Sequence, residues 1–121
     1  MPVLRIHTNV ARSKIPATLP KELCEAIAKS LGRGVDSCNC VINPDQLVSW
    51  GGNDGIEPCA QVVLLVFGGL GPKENIGHAK AITDKLVDSL GMAPTKIVIH
   101  FQDAKDFEVG FNGTTVQELL K

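Results

Sequence analysis

Cys59-Ala60-Gln61-Val62-Val63-Leu64-Leu65-Val66-Phe67, followed at once by Gly68-Gly69, is the stretch on which the fold turns. Only Gln61 interrupts its apolar character, and the glycines end it as punctuation of a strand. It is far shorter than the roughly 20 residues a membrane-spanning helix needs. A strand with one wet face alternates apolar and polar residues. This one is apolar at both odd and even positions, as in a sheet covered on both sides. Beyond the glycines, Pro72 is suited to open a helix that Gly91 closes, with Ile76, Ala79, Ile82, Leu86 and Leu90 on its buried face. Lys96–Phe101 (KIVIHF) then reads as a strand. The second half is therefore strand, helix, strand.

The first half repeats this order. Val3–Thr8 is a strand, and Leu19, Leu23, Ile27 and Leu31 form one stripe of a helix over 19–31. Thr18 is placed to cap that helix, Pro20 suits its first turn, and Gly32 ends it. Cys38–Asn43 is the return strand. A weak repeat at an offset of 59 relates the halves. Ser30-Leu31-Gly32 recurs as Ser89-Leu90-Gly91. Leu23 and Ile27 map onto Ile82 and Leu86, Leu4 and Ile6 onto Val63 and Leu65, and Cys38 and Cys40 onto Ile97 and Ile99. Short strand character is expected at Gln46–Trp50, before a turn-rich Gly51–Pro58. Asn112-Gly113 marks a hairpin between Glu108–Phe111 and Thr114–Val116. The fold class is α/β: two right-handed βαβ units in a four-stranded mixed sheet, with both helices on one face. One domain spans 1–121. No third layer is available to cover the other face, so the expectation is a closed homo-oligomer.

The chain of 121 residues is enough for one core. A net charge of −1 gives no electrostatic case for nucleic acid or an anionic membrane as partner. Arg5, His7 and Asn9 stand where the apolar core of a signal peptide would lie, so the expected location is cytoplasmic. The four cysteines, Cys24, Cys38, Cys40 and Cys59, contain no C-x-x-C pair, and read as buried free thiols rather than a disulfide framework or metal site. No cofactor is called for.

Candidate chemistry is concentrated at a few positions. Pro2 follows the initiator Met1. Once Met1 is removed, the terminus becomes a secondary amine, and burial lowers the pKa of such an amine from its usual value of about 7.7–8.0. A neutral amine at physiological pH is a competent general base. Phe67-Gly68-Gly69-Leu70-Gly71-Pro72-Lys73 has the setting of a phosphate loop, between strand and helix, but matches neither G-x-G-x-x-G nor G-K-[ST], and reads as a turn. His7, His78 and His100 are scattered; His78 is expected on a solvated helix face, and His7 and His100 on strands. Arg33, between Gly32 and Gly34, is a guanidinium held at a loop position, which suits carboxylate binding.

Taken together, Met1-Pro2, Thr8-Asn9-Val10, Asn43-Pro44-Asp45-Gln46-Leu47, Gly51-Gly52, Glu57-Pro58-Cys59-Ala60-Gln61 and Val109-Gly110-Phe111-Asn112-Gly113-Thr114 make nearly the whole chain resemble the macrophage migration inhibitory factor and D-dopachrome tautomerase family. The resemblance implies a homotrimer with sites at subunit interfaces and Pro2 as catalytic base. It implies keto–enol tautomerisation of phenylpyruvate-like acids and D-dopachrome-like compounds, with a small aromatic keto acid as substrate. It also implies secretion without a signal peptide, a cell-surface receptor and cytokine-like signalling. Carried over by position, Arg33 replaces the family's substrate-binding lysine, and Phe67 its pocket isoleucine. Val98 stands in place of a tyrosine, His100 of an asparagine and Phe111 of a tryptophan. The family's Cys-x-x-Cys is reduced to Cys59-Ala60-Gln61-Val62. The implied site is Pro2 with Arg33, Phe67, Val98, His100 and Phe111. Two readings follow. One is an enzyme in which Arg33 binds the carboxylate or the carbonyl oxygen. The other, favoured by the departures at Phe67, Val98 and His100, is a cytokine-like ligand with vestigial activity.

Overall fold

The apolar run and its partners form the sheet. The computed structural model describes residues 1–53 and 57–121. Strands β1 (Val3–Thr8), β2 (Asn39–Asn43), β3 (Ala60–Val66) and β4 (Ile97–Asp103) make one sheet in the order β2-β1-β3-β4. Within each half the strands run parallel, β1 with β2 and β3 with β4, and the halves meet antiparallel through β1 and β3. Helices α1 (Leu19–Leu31) and α2 (Glu74–Leu90) supply the two crossovers and pack on each other over one face, as expected for a mixed sheet of two βαβ units. The core lies between that face and the helices. Leu4, Ile6, Leu64, Leu19, Leu23, Ile82 and Leu86 have no solvent exposure.

Local chemistry sets the boundaries. Gly32 and Gly91 end the helices at φ 69° and 68°, the left-handed conformation that glycine adopts without steric cost. Thr18 is helical at the start of α1, and its side chain makes no capping bond; its carbonyl instead receives the Glu22 N–H. Pro72 lies two residues before α2 rather than opening it. Residues 46–49 carry no strand, and Trp50 makes only an isolated bridge to Asn53. Of the expected turn, 54–56 lie outside the described residues. The expected C-terminal hairpin is present as β5 (Gly110–Phe111) and β6 (Thr114–Thr115), with φ positive at Asn112 and Gly113. It runs into a short helix, α3 (Val116–Leu119), capped by Thr115, so Val116, expected to end the second hairpin strand, opens a helix instead.

Two expectations about helix and sheet faces are corrected. On α2 it is His78 that is buried, at 3% exposure, while Ile76 is 72% exposed. His78 finds hydrogen-bond partners inside, which removes the penalty of burying its ring nitrogens. On the sheet, the repeat at offset 59 is faithful in the helices but slips by one residue in the first strand of each half. Leu4 and Ile6 face the helices, whereas Val63 and Leu65 face away. A one-residue slip exchanges the faces of a strand. The uncovered face is therefore mixed rather than uniformly apolar. The register aligns Asn39, Val3, Leu65 and Gln102 in one row, Val41, Arg5, Val63 and His100 in the next, and Asn43, His7, Gln61 and Val98 in the third.

The asymmetry of the two faces is measurable. Leu64→Ala removes a side chain enclosed by the helices and should cost about 2–5 kcal/mol in urea unfolding at fixed protein concentration. Leu65→Ala, on the uncovered face, should cost less. Equal losses would mean that the helix-bearing face is not the principal core.

Candidate active site

The N-terminal end of β1 and the C-terminal end of β3 lie side by side. Val3 pairs with Leu65, so one further residue sets Pro2 opposite Val66, and the chain beyond Val66 turns through Phe67-Gly68-Gly69 next to the terminus. Pro2 is buried and Met1 partly so. Asn39 holds this end in place by donating to the Pro2 carbonyl twice, from its backbone N at 3.0 Å and from Nδ2 at 3.2 Å. Nothing in the sequence pattern marked Asn39 for that role.

Arg33 reaches the same place from the end of α1. Its Nη2 donates to the Phe67 carbonyl at 2.7 Å. Gly68 and Gly69, at φ 75° and 85°, let the backbone pass close to it. A side chain at Gly69 would stand 2.9 Å from Leu31 and 3.4 Å from the guanidinium, besides being strained by its backbone. A guanidinium has five N–H donors. Among the described residues, Phe67 O is the only acceptor that Arg33 engages with its side chain.

This geometry acts on the terminal amine. Burial holds the Met1 amine below the ordinary α-amino value, and the Arg33 positive charge lowers it further, against a smaller opposing pull from Cys38. Cys38 thus belongs to the same end of the sheet, although no pattern of residues marked it. Its own thiol is pushed up by burial, partly offset by the Ser37 hydrogen bond and the neighbouring positive charges. All four cysteines are free, three of them partly exposed rather than buried; Cys59 alone is buried. Burial pushes the Cys40 thiol up to about 12, so it stays protonated at neutral pH.

The remaining candidates lie elsewhere. Val98 is level with Gln61, whereas Pro2 is level with Val66. The separation is five residues along the sheet, roughly 16 Å at about 3.3 Å per residue. Val98 and His100 also point to the uncovered face, away from α1 and α2. One chain therefore brings together Pro2, Arg33 and Phe67 but not Val98 and His100. Phe111 sits on the β5–β6 hairpin and is half exposed. The turn leading to that hairpin packs toward Phe67: a cleft of about 430 Å³ runs between Phe67-Gly68 and residues 103–107, with Gln117 from α3 on its far side. Pro2 is not in the wall of this cleft. The glycine-rich loop is a turn closed on itself. Asn75 Oδ1 accepts from the Gly71 N–H, and Gly71 O accepts from the Asn75 N–H. No group of His, Cys, Asp and Glu among the described residues is arranged to hold a metal.

The same arrangement of chain recurs in known proteins. The family model of macrophage migration inhibitory factor matches residues 1–117. The macrophage migration inhibitory factor of Xenopus laevis is 35% identical over 115 residues, covering 95% of this chain and 98% of that one. D-dopachrome decarboxylase of Gallus gallus is 32% identical over 117 residues, covering 96% and 98%. Among solved structures, the factor from Trichinella spiralis superposes with a TM-score of 0.88 at 28% identity, over 93% of this chain and 98% of that one. The chain, by its matched length and its fold, belongs to the macrophage migration inhibitory factor family.

Proposed function

We propose that the chain, folded as one domain over 1–121, is a cofactor-free keto–enol tautomerase with Pro2 as its base. The observation that carries this reading is the position of Pro2 at the end of the sheet where Arg33 meets the Phe67 carbonyl, in surroundings that hold the Met1 amine, one residue earlier, below its ordinary value. The family membership and the relative named D-dopachrome decarboxylase support an isomerase-type activity, for which aromatic keto acids and D-dopachrome-like compounds are the proposed substrates. After loss of Met1, the neutral Pro2 nitrogen takes a proton from the carbon α to the substrate carbonyl. The electron pair moves onto the carbonyl oxygen as an enolate, and the proton returns to that oxygen to give the enol. Arg33 binds the substrate carboxylate, and burial, with the Arg33 charge adding to it, disfavours protonation of an amine at this end of the sheet. No group is oxidised or reduced.

The active unit is proposed to be a homotrimer. Val98 is too far along the sheet from Pro2 of its own chain, Val98 and His100 both point away from the helices, and the uncovered face still carries Val3, Val41, Val63, Leu65 and Val98. Neighbouring copies that cover this face would bring Val98 and His100 of one chain toward Pro2 of the next, with Phe111 as aromatic wall. Arg5, His7 and His100 on the same face mean that the covered interior stays hydrated in part. The second reading, a secreted cytokine-like ligand acting through a cell-surface receptor with residual activity, draws on the departures at Phe67, Val98 and His100. No helix among the described residues is long and apolar enough to cross a membrane.

Pro2→Ala, or a form that keeps Met1, should lose about 10²–10⁴-fold in kcat/KM with phenylpyruvate, the range of general acid–base catalysis. Activity within threefold of the native protein would remove Pro2 from the mechanism, and a native protein with little or no turnover would favour the ligand reading.

The burial and the Arg33 charge that lower the Met1 amine should act in the same direction on the amine that Pro2 carries once Met1 is lost. A base works when deprotonated, so activity should rise with pH through the amine pKa, with a midpoint below about 7.7–8.0. Arg33→Ala removes a charge that lowers that pKa, so the acid limb of kcat/KM should move to higher pH. The same substitution should weaken carboxylate substrates about ten- to hundredfold, and their methyl esters less, given about 1.5–3 kcal/mol for an ionic hydrogen bond. An unmoved acid limb together with equal losses on acid and ester would exclude Arg33 from both roles.

A further inference from the structure

His78 and Ser30 grip the loop that carries Phe67, and the site as described uses neither. His78, on α2, is 3% exposed, and its Nε2 lies 2.8 Å from the Gly69 carbonyl. Its Nδ1 is bonded to Ser30 Oγ, on the last turn of α1. A carbonyl only accepts, so Nε2 carries the hydrogen. In the neutral ring Nδ1 then accepts from the Ser30 hydroxyl. Phe101 packs at the side of the ring, with centroids 6.4 Å apart. The end of α1 therefore holds the loop at two carbonyls, at Phe67 directly through Arg33 and at Gly69 through Ser30 and His78. Between them stands Gly68, with φ positive there and at Gly69, a backbone that glycine leaves free to choose other conformations. The Arg33 bond alone fixes one carbonyl of that swivel; the His78 bond fixes the next.

We propose that His78 and Ser30 are positioning residues that lock the 67–71 loop, and through the Phe67 carbonyl hold the Arg33 guanidinium where it meets a substrate carboxylate. This rests on Arg33 as the carboxylate-binding group of the tautomerase reading. The chemistry needed at position 78 is a single N–H donor aimed at Gly69 O. It is absent from leucine and present in glutamine, whose terminal amide reaches about as far as Nε2 of histidine.

The test compares His78→Leu, His78→Gln and Ser30→Ala. Hydrogen exchange is read at the amides of 67–71. Phenylpyruvate affinity is read in a Pro2→Gly background, where turnover does not intervene, and kcat and KM are read with Pro2 intact. In His78→Leu the loop amides should exchange faster and the Kd should rise about tenfold, since small displacements of a binding group carry penalties of this order. KM should rise with Kd, while kcat changes by less than about threefold, because the base itself is untouched. His78→Gln should bring exchange and Kd back to within about threefold of the parent, as a donor-specific role requires and a packing role does not. Ser30→Ala keeps the packing intact and should give a smaller change of the same sign, so the test survives if the leucine variant does not fold. Loop exchange and Kd unchanged in Ser30→Ala and His78→Leu would overturn the proposal. So would equal Kd increases in the leucine and glutamine variants. If the native protein binds phenylpyruvate with this His78 dependence but does not turn it over, the tautomerase reading fails and the positioning role stands.

Discussion

The antiparallel pairing of β1 with β3 is the constraint on which the rest depends. It joins two parallel βαβ halves into one mixed sheet. Its register, Val3 against Leu65, sets the chain terminus beside the turn that follows Val66. That turn is where Arg33 arrives from α1, so an amine, a guanidinium and a backbone carbonyl meet at one end of the sheet. The parallel register of β4 on β3 sets Val98 at the far end and His100 midway along the sheet, both on the face away from the helices. A shift of one residue would exchange the two faces of β1 and bury Arg5 and His7 under the helices. The apolar side chains Leu4, Ile6, Val62 and Leu64 prevent it, because each is enclosed only in the register observed.

Much of this was legible in the residues. Leu19, Leu23 and Ile27 recur at helical spacing, and glycines in left-handed backbone stop both helices where they stand. The hairpin at Asn112-Gly113 was legible for the same local reason. What could not be read depended on partners distant in sequence. His78 appeared solvated because a histidine on a helix normally seeks water. It is buried because Ser30 and Gly69, far apart in the chain, satisfy both ring nitrogens. Asn39 and Cys38 join the Pro2 end only through the β1–β2 register. The strand repeat misled by one residue, since Val63 and Leu65 match Leu4 and Ile6 in kind but not in facing direction. Strand identity survives such a slip, whereas the character of the second sheet face does not.

The candidate site was legible in a different way. Pro2 and Arg33 follow from chemistry, a terminal secondary amine and a loop guanidinium, and the structure sets Arg33 on the turn beside the chain terminus that carries Pro2. Phe67 contributes its carbonyl as much as its ring, a role invisible to any reading of side-chain type. Val98 and Phe111 came from resemblance alone, and His100, a strand histidine by its pattern, owes its site role to the resemblance. The distance of Val98 from Pro2 in one chain is what would give the proposed trimer a chemical purpose: in that proposal each site draws its base from one copy and part of its wall from another.

That division of the site between copies is tested most directly by mixing subunits. Pro2→Gly chains lack the base, and Val98→Arg chains carry a blocking charge in the wall. If each site takes Pro2 from one chain and Val98 from its neighbour, a random equal mixture restores about a quarter of the sites, those pairing an intact Pro2 with an intact Val98. The account predicts two nearly inactive parents and a mixture with about that share of native tautomerase activity, with mixed trimers seen by native mass spectrometry. Mixed trimers no more active than their parents would contradict it.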